Sequence, residues 1–318
     1  MKLVTFQKKG EARLGIVCDK WIVDAQDALR HFHKKDPVPL VSADTADLRA
    51  FLATGRRGLA VLKKIEVLAR ALSQDKRAMS VIASPTAKTK LLAPILNPQK
   101  IICIGQNYRD HCLEQNAPIP ERPIIFTKFQ TCLNGHNAPI VKPAATQQLD
   151  FEAELAFVIA KRGKLIREED AMAHVAGYMI FHDVTARDIQ YGDKQWVRGK
   201  SLDTSAPCGP WLVTKDEIPD PHNLRVQLWL NGGLMQNSST SQFIFSIPHI
   251  VSFLSKTITL EVGDIISTGT PPGVGVFRKP PIFMKAGDRV AIEIEGLGRL
   301  ENQIVNERKS GRAALAGF

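Results

Sequence analysis

The amino-acid sequence predicts a β-rich α+β fold, and three observations carry that prediction. Beyond residue 95, short apolar runs are broken by Gly and Pro, as strands are: Ile101–Ile104, Ile124–Phe126, Leu155–Ile159, Val226–Leu230, Asp264–Ser267 and Arg289–Ile294. Helical spacing is confined to short stretches at 110–115, 167–173, 186–191 and 247–255. Strand and helix patterns do not alternate as they would in a parallel βαβ sheet.

The 318 residues suggest about two domains. Residues 1–95 read as a small N-terminal α+β domain. Leu3–Phe6, Leu14–Val17 and Trp21–Val23 are expected strands, with turns at Lys8-Lys9-Gly10 and Asp19-Lys20. Residues Thr45–Ala53 and Gly58–Leu72 are expected helices. Leu48, Phe51 and Leu52, then Leu59, Leu62 and Ile65, share a helical face, and Gly55 suits a helix stop. The segment Leu92–Pro98 holds two prolines without a period and reads as a linker. Residues 96–306 are the expected catalytic domain, and 307–318 a polar tail of low order.

Composition narrows the function. Hydrophobic residues at 44% and charged residues at 23% fit a soluble globular chain. No apolar run reaches the ~18–20 residues that span a bilayer, so no membrane partner is expected. The start resembles neither a signal nor a transit peptide, which points to the cytoplasm, with the mitochondrial matrix as the alternative if a presequence is missing. Net charge is +10, and residues 1–95 hold 18 Lys and Arg against 9 Asp and Glu. Those charges are scattered among few aromatics and no nucleic-acid motif, so a solvated surface is expected rather than a nucleic-acid partner. Cys18, Cys103, Cys112, Cys132 and Cys208 show no CxxC spacing and read as reduced, buried thiols.

The chemistry begins with Leu149–Phe157, which alternates apolar and polar residues. In a strand, Glu152 and Glu154 share one face while Phe151, Ala153 and Leu155 share the other. Two such acids alone are commonly a solvated face. Gly177–Asp183 adds a third acid at the end of an apolar strand, followed by Thr185 and Asp188 as an expected capping box. Three carboxylates suit a hard cation: Mg²⁺ is expected, with Mn²⁺ or Ca²⁺ as alternatives. Zn²⁺ would call for His or Cys. His182 points away from Asp183 and reads as structural.

Further groups surround these acids in sequence. Ile101–Glu114 reads as strand, turn and helix start, with Asn107 as N-cap. His111 and Glu114 lie at i, i+3, so the carboxylate can orient the imidazole and raise its basicity, as a general base requires. Arg187 and Gln190 share a helix face, and Lys200 follows; such donors can hold a carboxylate or a developing enolate. The turn Ser267–Gly275 has residues small enough for backbone N–H groups to approach an anion. It lacks the Walker ending and the dinucleotide glycine set.

Taken in order, Gly105, Asn107, Tyr108, His111 and Glu114; Glu152 and Glu154; His182–Asp188; Gly199-Lys200-Ser201 with Asp203; and Thr268–Gly275 resemble the fumarylacetoacetate hydrolase family over residues 96–305. Asp220–Leu224 and Gly275–Pro281 look closer still to one branch of it. The resemblance implies a mixed β-sandwich roll, a homodimer, and metal ligands at Glu152, Glu154 and Asp183. It implies an acid/base dyad of His111 and Glu114, with Lys200 and Gln190 at the oxyanion. Tyr108, Arg187, Gly269 and Thr270 are the implied substrate contacts. The connection from Gln190 to Lys200 is short for the family's lid.

The expected reaction is metal-dependent C–C bond hydrolysis of a small 2-oxo or 2,4-dioxo acid, through an enolate that the cation stabilises. Oxaloacetate tautomerisation or decarboxylation is the alternative within the family. A non-catalytic binding protein with a basic N-terminal module, and a His-rich β-barrel metalloenzyme, are alternatives outside it. The intact set of acids, dyad and Lys200 opposes the former, and the lack of a His-rich ligand set opposes the latter.

Overall fold

The structure is a computed structural model, and it describes residues 1–33 and 47–308. Two large sheets dominate. The larger has eleven strands, and its main path runs from Ala83–Pro85 at one edge to Ile124–Lys128 at the other. At its centre lie Ala206–Thr214, Val175–His182, Ala153–Ile159 and Ile265–Ser267. Most pairs are antiparallel, but Ile265–Ser267 runs parallel to Ile101–Gly105. The second sheet has five strands and includes Gly233–Ser239, Arg225–Leu230 and Arg289–Ile294.

Period-two alternation explains how the sheets meet. Leu155, Phe157 and Ile159 face one apolar cluster together with Val226, Leu228, Ile292 and Ile294 of the five-stranded sheet. Ala156 and Val158, on the opposite face, join a second cluster that reaches Phe51, Leu62 and Ile65 of the N-terminal helices. The N-terminal strands continue the large sheet, because Lys2 and Leu3 pair with Val213 and Leu212.

The strands expected from the sequence form, most of them a residue or two longer, but Asp264 lies outside its strand and the Leu149–Phe157 run breaks at Phe151 and Glu152 into Leu149–Asp150 and Ala153–Ile159. The helices Arg56–Ala71 and Ile247–Ser255 form as well. The expected helix over Thr45–Ala53 is present as Leu48–Ala53 behind the cap Asp47, and Thr45 and Ala46 lie outside the described residues. So does all but the start of the expected tail. Three helices among the described residues carry no expectation from the sequence: the short Val197–Lys200 and two longer ones. Ala25–His33 follows the strand Trp21–Asp24 without any turn residues, since Asp24 Oδ1 itself accepts from Gln26 N and Asp27 N. Lys76–Ile82 starts at Asp75, whose carboxylate caps Arg77 N and Ala78 N.

Two expected caps are corrected. Asn107 does not cap the helix Arg109–Glu114, whose N-cap is Tyr108. Its amide instead donates to Phe245 O and Thr268 O and accepts from Phe245 N, which ties three loops together. The Thr185–Asp188 box does not form. Thr185 belongs to a short strand paired with Asp150, and the Asp188 carboxylate accepts from Thr146 Oγ1 and Gln147 N. Both polar side chains find partners distant in sequence, which local spacing does not encode.

Candidate active site

Strand register brings the acids together. Ala153 pairs with His182 in the antiparallel ladder, and Asp183 N donates to Glu152 O at 3.0 Å. Glu152 and Asp183 are therefore cross-strand neighbours, and Glu154 lies one pleat further on the same face. One oxygen from each carboxylate falls within 4.8 Å of the others, and all three residues are buried. His182 shares the opposite face with Ala153, as the alternation predicts.

Cations surround the cluster. Lys200 Nζ bridges Glu152 Oε2 at 2.7 Å and Asp183 Oδ2 at 2.8 Å. Lys128 Nζ reaches Asp183 Oδ1 at 2.8 Å and Val184 O at 3.1 Å. Arg187 lies between Asp150 Oδ2 at 2.8 Å and Glu152 Oε1 at 2.5 Å, and its remaining nitrogen donates to Gln190 Oε1 at 3.0 Å. Asp150 also accepts from Gly275 N and Val276 N, so it fastens the glycine turn to Arg187. A Cβ on Gly275 would lie 1.9 Å from Ile282 O and 2.5 Å from Asp150 Oδ1, which leaves room for glycine alone.

The three acids are electrostatically unequal. Burial pushes the Glu152 carboxyl up, but Lys200 and Arg187 outweigh it and bring it down to about 2. Burial and the charges of Asp183 and Glu152 push Glu154 well above the usual carboxylate range. Its Oε2 is fixed by Ser267 Oγ at 2.5 Å and Gly269 N at 3.0 Å. Burial pulls Lys200 down, yet Asp183 and Glu152 hold it above the ordinary lysine value, so it stays an ammonium.

Glu152 and Glu154 line a cavity of about 80 Å³ that is also lined by His111, Arg187, Gln190, Lys200 and Thr270. His111 Nδ1 lies 3.0 Å from Glu114 Oε2, and Glu114 Oε1 accepts from Gly273 N at 2.8 Å. With Nδ1 engaged, Nε2 is the ring nitrogen left for the cavity. The Thr270 hydroxyl donates to Ala153 O, while Gly269 spends its N–H on Glu154. Tyr108 is fully buried behind the cavity, edge-on to Phe243, and does not line it.

Sequence reasoning missed several residues. Lys128 ends the strand Ile124–Lys128, and its only sequence signal is a charged residue closing an apolar run, the same signal that marks Asp183. Asp150 stands beside the two glutamates in sequence, but nothing local sets it apart from them. Phe126, Trp196 and Phe277 supply apolar wall, and nothing in their spacing distinguishes them from ordinary core residues.

The donor set suits a hard divalent cation: three converging carboxylates, with no His or Cys in the group and two ammoniums as countercharge. All five cysteines are free and buried.

Residues 100–305 match the family described as fumarylacetoacetate (FAA) hydrolase, C-terminal. Over 260 residues the chain is 52% identical to the mitochondrial oxaloacetate tautomerase fahd2 of Xenopus laevis, which covers 81% of this chain and 78% of that protein. It is 43% identical over 310 residues to the oxaloacetate tautomerase YisK of Bacillus subtilis, covering 96% of this chain and all of that one (100%). A maleylpyruvate hydrolase from Sphingobium sp. SYK-6, solved with manganese (II) and pyruvate, superposes with a TM-score of 0.71 at 29% identity, over 97% of this chain and 100% of that one. Likeness in fold and in sequence thus converges on one assignment: this chain is an enzyme of the fumarylacetoacetate hydrolase family.

Proposed function

We propose that the protein is a divalent-metal-dependent oxaloacetate keto–enol tautomerase. The observation that carries this reading is one small cavity lined by Glu152 and Glu154, which cluster with Asp183, and by His111, which pairs with Glu114. The names of the Xenopus and Bacillus relatives favour tautomerisation over the C–C hydrolysis expected from the sequence.

Glu152, Glu154 and Asp183 would hold a divalent cation, Mg²⁺ or Mn²⁺, which would supply Lewis acidity toward an oxo acid. The chain's own groups do the rest. Arg187 and Lys200 supply positive charge at the acid end of the cavity, and the Thr270 N–H, with its hydroxyl engaged elsewhere, faces the substrate carboxylate. His111, oriented by Glu114, moves the proton between the C3 carbon and the oxygen of the 2-oxo group. Tautomerisation needs no water, so the apolar wall of Phe126, Trp196 and Phe277 serves to exclude it.

The same proposal divides the chain near residue 95, because the family match begins at residue 100. It takes the protein to be a homodimer without nucleic-acid partners. Among the described residues no helix is long and apolar enough to cross a membrane. The name of the Xenopus relative supports the mitochondrial matrix rather than the cytoplasm.

The test follows the enol absorbance of oxaloacetate with purified protein, with Mg²⁺ or Mn²⁺ and after chelation, while pyruvate is measured in parallel. Faster enol–keto equilibration that is lost on chelation, without pyruvate release, is the expected result. Pyruvate release from acylpyruvates without accelerated equilibration would replace this reading with the hydrolase.

A further inference from the structure

Gln236 belongs to Gly233–Ser239 in the five-stranded sheet, but its side chain leaves that sheet and is fully buried. The ladder skips a residue here: Leu228 pairs with Gln236, and Trp229 pairs with Leu234. Such an irregularity re-aims side chains, and here a polar residue points inward from a strand that is otherwise exposed or half-buried. Oε1 accepts from Ala153 N at 2.8 Å, on the residue between Glu152 and Glu154. Nε2 donates to Thr270 Oγ1 at 2.9 Å and to Pro271 O at 2.8 Å. Thr270 Oγ1 then donates to Ala153 O at 3.0 Å. One amide therefore ties both backbone groups of Ala153 to the Thr268–Gly273 turn, with its acceptor and both donors in use.

We propose that Gln236 is a positioning residue that sets the separation between the Glu152/Glu154 pair and the Thr270 turn, and so the fit of both cation and oxo acid. The Thr270 hydroxyl is committed on its donor side to Ala153 and on its acceptor side to Gln236, so Gln236 helps fix the place of this cavity-lining residue. An apolar side chain at 236 would leave Ala153 N and Pro271 O without partners in a buried place, and the turn would shift to find others. The claim on the oxo acid rests on the proposed function; the claim on the cation does not.

The test compares Gln236→Leu and Gln236→Asn with the native chain. Asparagine keeps the amide but is one methylene too short to span both sides. Three quantities are read on folded protein: Mn²⁺ affinity by calorimetric titration, and KM and kcat for oxaloacetate equilibration. Both variants are expected to bind Mn²⁺ about tenfold more weakly and to raise KM about tenfold, as loss of a residue supporting metal ligands does, with a smaller change in kcat. A lowered melting temperature with native Mn²⁺ affinity and native KM would overturn the proposal. If Gln236→Leu does not fold, the same readings on Gln236→Asn decide between the two outcomes. If the native chain does not turn over oxaloacetate, the functional reading fails while the Mn²⁺ titration still decides the role of Gln236.

Discussion

Lys128 and Asp183 form an ion pair with no exposed atom on either side chain, Nζ lying 2.8 Å from Oδ1. Its partners leave it little freedom, because Lys200 holds the other oxygen of the same carboxylate. Removing Lys128 leaves the buried Asp183 carboxylate with Lys200 as its one remaining cation among the described residues, and Val184 O without this donor. Lys128→Met is therefore expected to cost about 3–5 kcal/mol of stability in metal-free protein. Saturating Mn²⁺ should recover part of that loss, since a bound cation restores positive charge beside Asp183. Thermal unfolding with and without Mn²⁺ measures both effects; an unchanged melting temperature would show that the pair is not structural.

Glu152→Ala and Asp183→Ala each remove one of three converging carboxylates. Either change should lower Mn²⁺ affinity beyond the range of calorimetric titration and abolish oxaloacetate equilibration. Undiminished turnover in either variant would falsify the metal assignment.

His111→Ala separates two possible roles for the dyad. If His111 moves the proton, kcat should fall by about 10²–10⁴-fold while Mn²⁺ binding persists. Glu114→Gln keeps the neighbour's shape but removes its charge, and an intermediate loss is expected. A native rate in His111→Ala would assign proton transfer to another group.

His182 gives the acid limb of stability. Burial first, and the nearby charge of Lys128 next, pull its imidazole from an ordinary 6.5 to about 3. Its Nε2 is buried without a partner. The folded state therefore binds fewer protons than the unfolded state below pH 6.5. This contribution is complete above that pH and is lost as pH falls, at up to about 1.4 kcal/mol per pH unit. Between pH 6.5 and 4.5 the raised Glu154 carboxyl acts in the opposite sense, because the folded state keeps a proton there that the unfolded state has lost, so the His182 contribution is read by comparing native protein with a variant. Urea unfolding across that window should show native protein losing stability relative to His182→Gln as pH falls. Equal slopes would count against a buried neutral imidazole.

Much of the site was legible because its signals are local. Alternation put Glu152 and Glu154 on one face, and helical spacing put His111 beside Glu114; the structure shows both. The two caps failed for the opposite reason. Asn107 and Asp188 have side chains that suit a local bond, but each meets a stronger set of partners far along the chain. Lys128 and Gln236 were invisible for the same cause, since their partners lie 55 and 83 residues away in sequence.

By itself, then, the sequence determined the β-rich class, the strand and helix that carry each acid and base, and the three carboxylates as a set. Those follow from period-two and period-3.6 patterns, which each segment expresses on its own. Only the tertiary structure decided how the acids are neutralised and held. Lys128, Lys200 and Arg187 balance the charge, and Gln236 links the acid strand to the glycine turn. A buried charge or amide takes whichever partner the packed chain delivers, and that delivery depends on sheet register across the whole molecule rather than on neighbouring residues.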